Sequence, residues 1–203
     1  SRVETAPLLE ALYVAAARAG APASWRRTLL DLRNRGFDRR MAGILARRKP
    51  DLVIGNDGAA ELTFAAARRL GIPSLLNQVI GHNSAGAALL EEEYRRDPDF
   101  AERPPGRRSP LALETRRLEI RLADRILAPS AYVRDTLIAA GAAAERIALL
   151  PYGVDSERFR PAPESATAGH VGTLRLLFVG QIGQRKGLSY LLEALRRLPR
   201  EDY

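Results

Sequence analysis

Apolar positions along the chain fall into two alternating kinds of run, short continuous ones and longer ones spaced for a helix. Leu8, Leu9, Leu12, Tyr13 and Ala16 recur at helical spacing, and residues about 4–20 and 24–48 read as helices that Pro50 closes. Asp51-Leu52-Val53-Ile54-Gly55 is short and continuously apolar, as a strand buried in a parallel sheet would be. Asn56-Asp57-Gly58 then turns the chain into a helix at about 59–70, with Asn56 or Asp57 as its cap, and Gly71-Ile72-Pro73 stops it. Ser74–Ile80 reads as the next strand, residues 86–96 as a helix, Glu102–Pro110 as an Arg- and Pro-rich loop, and about 111–123 as a long amphipathic helix. Arg125–Ala128 is a short strand. Ser130 is a good N-cap for a helix at 131–140 that Gly141 ends, and Arg146–Leu150 is a further strand.

Strands alternating with helices of this length indicate βαβ units and a parallel sheet, so the fold class is α/β. Residues 151–172, rich in Pro and Gly, read as a linker. Leu174–Gly180 is then a strand and 187–198 a helix. The expected organisation is therefore a Rossmann-like domain over 1–150, an interdomain linker over 151–172, and the start of a second domain over 173–203.

Composition changes this picture little. The 203 residues carry 32 Lys and Arg against 24 Asp and Glu, a formal charge of +8, and 46% are hydrophobic, which excludes a disordered chain. Only Lys49 and Lys186 are Lys. The Arg residues come in pairs such as Arg26-Arg27, Arg39-Arg40 and Arg95-Arg96, spread along the chain and interleaved with acids. That spread is the mark of arginine-rich codon usage more than of a nucleic-acid partner. A basic patch facing the membrane is the lesser option. Cysteine is absent, which excludes disulfides and thiolate chemistry. No apolar run reaches membrane-spanning length and no secretory signal opens the chain, so a cytoplasmic protein, at most peripheral to the inner face of the membrane, is expected.

Ligands of open parallel sheets bind beyond the carboxyl ends of the strands. Three such places carry chemistry. Gly55-Asn56-Asp57-Gly58 follows the first strand. Gly81-His82-Asn83-Ser84 follows the second, and His82 is one of two His in the chain. Gly180-Gln181-Ile182-Gly183-Gln184-Arg185-Lys186-Gly187 is a loop running into a helix, where free N–H groups beside Arg185 and Lys186 suit a phosphate. It is neither a Walker loop nor G-x-G-x-x-G. No His, Asp and Glu set has metal-ligand spacing.

Three segments in order complete the reading. Ala123-Asp124-Arg125-Ile126-Leu127-Ala128-Pro129-Ser130, then Pro151-Tyr152-Gly153-Val154-Asp155 with Phe159 and Pro161, then Phe178-Val179-Gly180 with Lys186-Gly187, resemble the signatures of the family-4 glycosyltransferases of GT-B fold. The resemblance implies two Rossmann-like domains facing across a cleft, an acceptor side and a nucleotide-sugar side, with Gly153-Val154-Asp155 at the crossover. It implies transfer of a glycosyl group from a nucleotide-sugar donor, with retention at the anomeric carbon. No metal or other cofactor is implied, because protein cations stabilise the leaving diphosphate. The acceptor, whether glycan, lipid-linked or small molecule, stays open.

Carried over position by position, the resemblance makes Lys186 the diphosphate-binding residue and Gly180 the residue that lets the loop approach the donor. Gln181 stands where the family usually has Arg. Gln donates a hydrogen bond without charge, so Arg185 is the nearest cation to compensate. His82 matches the residue beside the donor sugar and acceptor. The family's first strand with its Gly-rich loop, and its later Glu-x7-Glu segment, are expected outside this sequence, and the segment by itself is not expected to turn over substrate. A non-catalytic binding module derived from the same fold is the alternative. A nucleic-acid-binding protein and a sugar-nucleotide epimerase stand further off.

Overall fold

A computed structural model describes residues 7–100, 109–161, 176–180 and 182–199. The predicted alternation is present. Two helices, α1 (Pro7–Arg18) and α2 (Ala23–Arg48), precede β1 (Val53–Asn56), α3 (Glu61–Leu70), β2 (Ser74–Asn77) and α4 (Asn83–Arg96). Then follow α5 (Pro110–Leu122), β3 (Arg125–Ala128), α6 (Ala131–Ala139), β4 (Ile147–Leu149) and α7 (Leu188–Arg197). The four strands form one parallel sheet in the order β1-β2-β3-β4. The α/β, Rossmann-like class expected above is what the structure has.

By its contacts the chain divides into two units, Ser1–Ser84 with Arg107–Pro151, and Ala85–Gly106 with Tyr152–Tyr203. The first unit holds the whole sheet. One face of the sheet packs Leu76 and Ile126 against Phe64 of α3, Ile120 of α5, and Val133 and Leu137 of α6. A second cluster joins Leu45 of α2 to Ala66, Ala67 and Ile72 around α3. Burial of these side chains stabilises by about 1.5–3 kcal/mol for each large one. The opposite face of β1 is open, with Ile54 61% exposed. Residues 51–55 are therefore not buried on both faces as the apolar run suggested, because β1 is the outer strand of the described sheet and nothing described covers that face.

The start of α3 also departs from expectation. Asn56 and Asp57 do not cap it. The helix begins at Glu61 with Ala60 as N-cap, too far along for either side chain to reach. Two carboxyl groups from distant helices take that role. Asp38 of α2 accepts the N–H groups of Leu62 at 2.7 Å and Thr63 at 2.9 Å, and the Thr63 hydroxyl at 2.6 Å. Glu119 of α5 accepts those of Gly58 at 2.7 Å and Ala60 at 2.8 Å. The expected cap at Ser130 holds: its side chain accepts from the N–H of Val133. Ser109, placed in a loop by the sequence, caps α5 by accepting from the N–H of Ala112. Arg146 donates to the carbonyls of Ile120 and Ala123, closing the far end of α5 with a cation.

The second unit is leaner. Leu176–Val179, expected within a strand, is not one: Leu177 and Val179 are 88% and 83% exposed. A strand exists through its hydrogen-bonded neighbour, and the described residues of this unit offer none. Leu174 and Arg175, residues 162–172 of the linker, and Gln181 lie outside the described residues. A short turn at Gln184–Lys186 leads into α7, where Gly187 takes a left-handed φ of 69°. The Tyr190 hydroxyl donates to Glu93 at 2.5 Å.

Replacing Asp38 by Ala leaves the N–H groups of Leu62 and Thr63 without their partner and takes the shorter of two bonds from the buried Thr63 hydroxyl. The expected cost is about 3 kcal/mol. Urea unfolding of Asp38→Ala against the parent measures it, and a change under about 0.5 kcal/mol would show that α3 does not depend on this cap.

Candidate functional site

The parallel register sets the carboxyl ends of β1 and β2 side by side. Asn56 pairs with Asn77 in the ladder, and the Asn77 side chain donates to that of Asn56 at 2.9 Å. The turns that leave these strands, Asp57-Gly58 and Gly81-His82, thus emerge from the same edge of the first unit.

The first turn is held from below. Arg116 of α5 lies with its Nε 3.5 Å from Oδ2 of Asp57, both side chains mostly buried, and its Nη1 donates to the Ala112 carbonyl at 3.0 Å. Among the described residues its Nε has no hydrogen-bond acceptor. Gly58 has φ of 89°, and a Cβ there would lie 2.6 Å from Nη2 of Arg116. Only Gly meets both demands, the left-handed backbone and the guanidinium packed on it. Glu119, fully buried under this turn, is pushed up to about 7. Burial outweighs the two N–H bonds and the nearby Arg116, which all favour the charged form, while Asp57 adds to the rise.

The second turn carries His82. Its backbone N–H donates to Oγ1 of Thr136 on α6 at 2.9 Å. Its ring Nδ1 lies 2.9 Å from Oγ of Ser84. The pKa of His82 is lowered from its ordinary value of 6.5, first by burial and then by the charge of Arg116, with Asp57 acting in opposition. The structure therefore brings His82 into the electrostatic field of the Asp57–Arg116 pair, a link that no spacing in the sequence announces.

The other candidates sit in the second unit. Gly180 and Lys186 are together: a Cβ on Gly180 would meet Cγ of Lys186 at 3.8 Å, ordinary contact. Arg185 and Lys186 are exposed, and among the described residues neither side chain has a hydrogen-bond or ion-pair partner. Two uncommitted cations at the mouth of a helix are chemically able to hold an anion. Gln181 lies outside the described residues. His82 belongs to one unit and Gly180, Arg185 and Lys186 to the other, and each group is described within its own.

A small, open cleft lies between α2, α3 and α5 in the first unit. Its polar groups are mostly engaged with one another. Ser109 donates to Asp31, Thr115 donates to Glu61, and Arg35 lies 3.5 Å from Glu61. Among the described residues no group of three or more His, Asp or Glu could hold a metal ion, and no helix is long and apolar enough to cross a membrane. Sequence reasoning missed Asp38, Glu119, Arg116 and Thr136. A lone acid or base in an amphipathic helix carries no signal of its partner on another element.

The comparisons with known proteins agree with the fold. A sequence profile of the family described as Glycosyltransferase Family 4 matches residues 6–158. D-inositol 3-phosphate glycosyltransferase 1 of Catenulispora acidiphila is 38% identical over 88 residues, which are 41% of this chain and 21% of that protein. Among solved structures, HepE of Anabaena in complex with UDP matches with a TM-score of 0.50 and 17% identity, over 79% of this chain and 41% of that one. At that identity the likeness is one of fold. The match spans about a fifth of the curated relative and about two fifths of HepE.

Since its bonded carboxyl takes up a proton more readily in the folded state, Glu119 makes stability depend on pH. The folded value is above the ordinary 4.5. Its contribution is therefore most favourable below about 4.5 and is lost as pH rises towards about 7. Melting curves of the parent should fall relative to Glu119→Gln across that window. Parallel curves would show that the carboxyl titrates normally.

Proposed function

The chain belongs to Glycosyltransferase Family 4, and on that footing we propose that it works in the transfer of a glycosyl group from a nucleotide-sugar donor to an acceptor, with retention of the anomeric configuration. The observation that carries the reading is the pairing of Gly180 with Lys186 at the entrance to α7, with Lys186 and Arg185 exposed and unengaged. A nucleoside diphosphate leaving as a dianion needs positive charge placed where its own charge develops. Lys186 supplies it, Arg185 adds to it, and Gly180 leaves room for the phosphates. No metal is required in this scheme. Gln181 contributes a hydrogen bond and no charge. The UDP held by HepE is a leaving group of this kind.

The first unit, with His82 and the Asp57–Arg116 turn at the carboxyl edge of its sheet, is the acceptor side. His82 lies by the reacting sugar. The reaction takes place in the cytoplasm, and a membrane-borne acceptor would bring the protein to the inner face of the membrane. The reading of a non-catalytic module has no observation in its favour. Among the described residues the Lys186 side chain has no partner, as suits a residue kept for a ligand.

Lys186→Ala in the complete protein should lower kcat/KM for a nucleotide-sugar donor by about 10²- to 10³-fold. Because Lys186 is exposed, the unfolding midpoint should stay within about 0.5 kcal/mol of the parent. Transfer at near the parent rate would remove Lys186 from the donor site. Absence of saturable binding across UDP-, GDP- and ADP-sugars would remove the function.

A further inference from the structure

His82 stands one residue before α4, and its ring is turned back onto the start of that helix. Two groups of Ser84 reach the same ring nitrogen, Nδ1: the hydroxyl at 2.9 Å and the backbone N–H at 3.5 Å. A backbone N–H can only donate. Nδ1 is then an acceptor, since two N–H hydrogens cannot share the gap between them, and the hydroxyl of Ser84 completes its solvation by donating as well. The proton of the neutral ring is left on Nε2, for which no protein partner is found among the described residues.

The backbone beneath the ring is fixed as firmly. Oγ1 of Thr136, 93% buried, donates to the Val133 carbonyl at 2.7 Å and accepts the N–H of His82 at 2.9 Å. The Tyr132 ring lies over Gly81 so closely that a Cβ there would stand 2.9 Å from Cε1. The turn therefore has little freedom, and the direction of Nε2 is set by Ser84 and α6 together.

We propose that Ser84 is a positioning residue that holds His82 in the Nε2–H tautomer, so that His82 meets its substrate as an uncharged hydrogen-bond donor and not as a base or a cation. The consequence for substrate rests on the reading above, that His82 faces the reacting sugar; the tautomer does not. Such a donor suits a hydroxyl or ester oxygen of a sugar. The charged groups around the ring act in the same sense. The positive end of α4 and the Arg116 guanidinium both disfavour imidazolium, and Asp57 alone favours it.

The test turns on a sign. A hydrogen bond donated to Nδ1 stabilises the neutral ring, so its loss must raise the pKa of His82. A bond accepted from Nδ1–H stabilises the charged ring, so its loss must lower it. In the complete protein labelled with ¹⁵N-histidine, the signals of His82 are those that vanish in His82→Gln. Ser84→Ala is expected to raise the pKa of His82 by about 0.5 to 1, the equivalent of one neutral hydrogen bond, while Ser84→Thr keeps the parent value. At high pH the parent should show a protonated Nε2 and an unprotonated Nδ1. A fall or no change in Ser84→Ala, or a protonated Nδ1 in the parent, overturns the proposal.

Activity separates the two layers of the argument. If His82 donates from Nε2 to the reacting sugar, His82→Gln, which can place an N–H near that point, should retain more transfer than His82→Asn. Ser84→Ala should then lose about three- to tenfold in kcat with little change in donor KM. Full activity of both His82 variants alongside the expected pKa change would reject the catalytic position of His82 and leave the tautomer standing.

Discussion

Everything at the working edge of the sheet depends on how the segment from Gly58 to Thr63 is held. Its N–H groups, the exposed start of a helix, would be left without partners by the local sequence. Asp38 and Glu119, reaching in from α2 and α5, supply those partners. Each carboxyl accepts two or more bonds at once, and each ties a helix to the strand-helix turn that the sheet presents. One constraint thus joins three helices and the end of β1. Removing either acid would loosen a turn and also detach that turn from its supporting layer.

The same arrangement explains the character of the site. Arg116 lies three residues before Glu119 on α5, so both side chains come off one face and meet the same turn. The guanidinium packs on Gly58 and pairs with Asp57, and its field reaches His82 on the neighbouring turn. A structural support and an electrostatic one are therefore delivered by a single helix. Burial first, and then this guanidinium, lowers the pKa of the histidine.

The order of helices and strands, the parallel sheet and the cap at Ser130 could be read from periodicity and punctuation, because each depends on residues close in sequence. The His82 turn was legible for the same reason: strand, Gly, His. The cap of α3 was not. The local residues Asn56-Asp57 offered a plausible answer, and the true partners lie 24 and 61 residues away. The strand expected at Leu174–Gly180 failed for a related reason. Apolar alternation marks a segment able to pair, and pairing also needs a neighbour. In the donor loop the charges Arg185 and Lys186 could be read from the sequence, and their freedom from other partners could not.

The junction of β2 and β3 closes the longer of two loops in the sheet. Within the sheet, β1 and β2 meet across 21 residues, whereas Ser74 and Asp124 are 50 apart. Closing the longer loop costs about 0.7 kcal/mol more in chain entropy. At that junction the backbone N–H and hydroxyl of Ser74 both donate to the Asp124 carboxyl, and the N–H of Asp124 bonds back to Ser74. The Ala-Asp dipeptide of the sequence signature is, in the fold, a latch between neighbouring strands of the sheet. It fixes the register of β3 on β2 after the long excursion of the chain through α4 and α5.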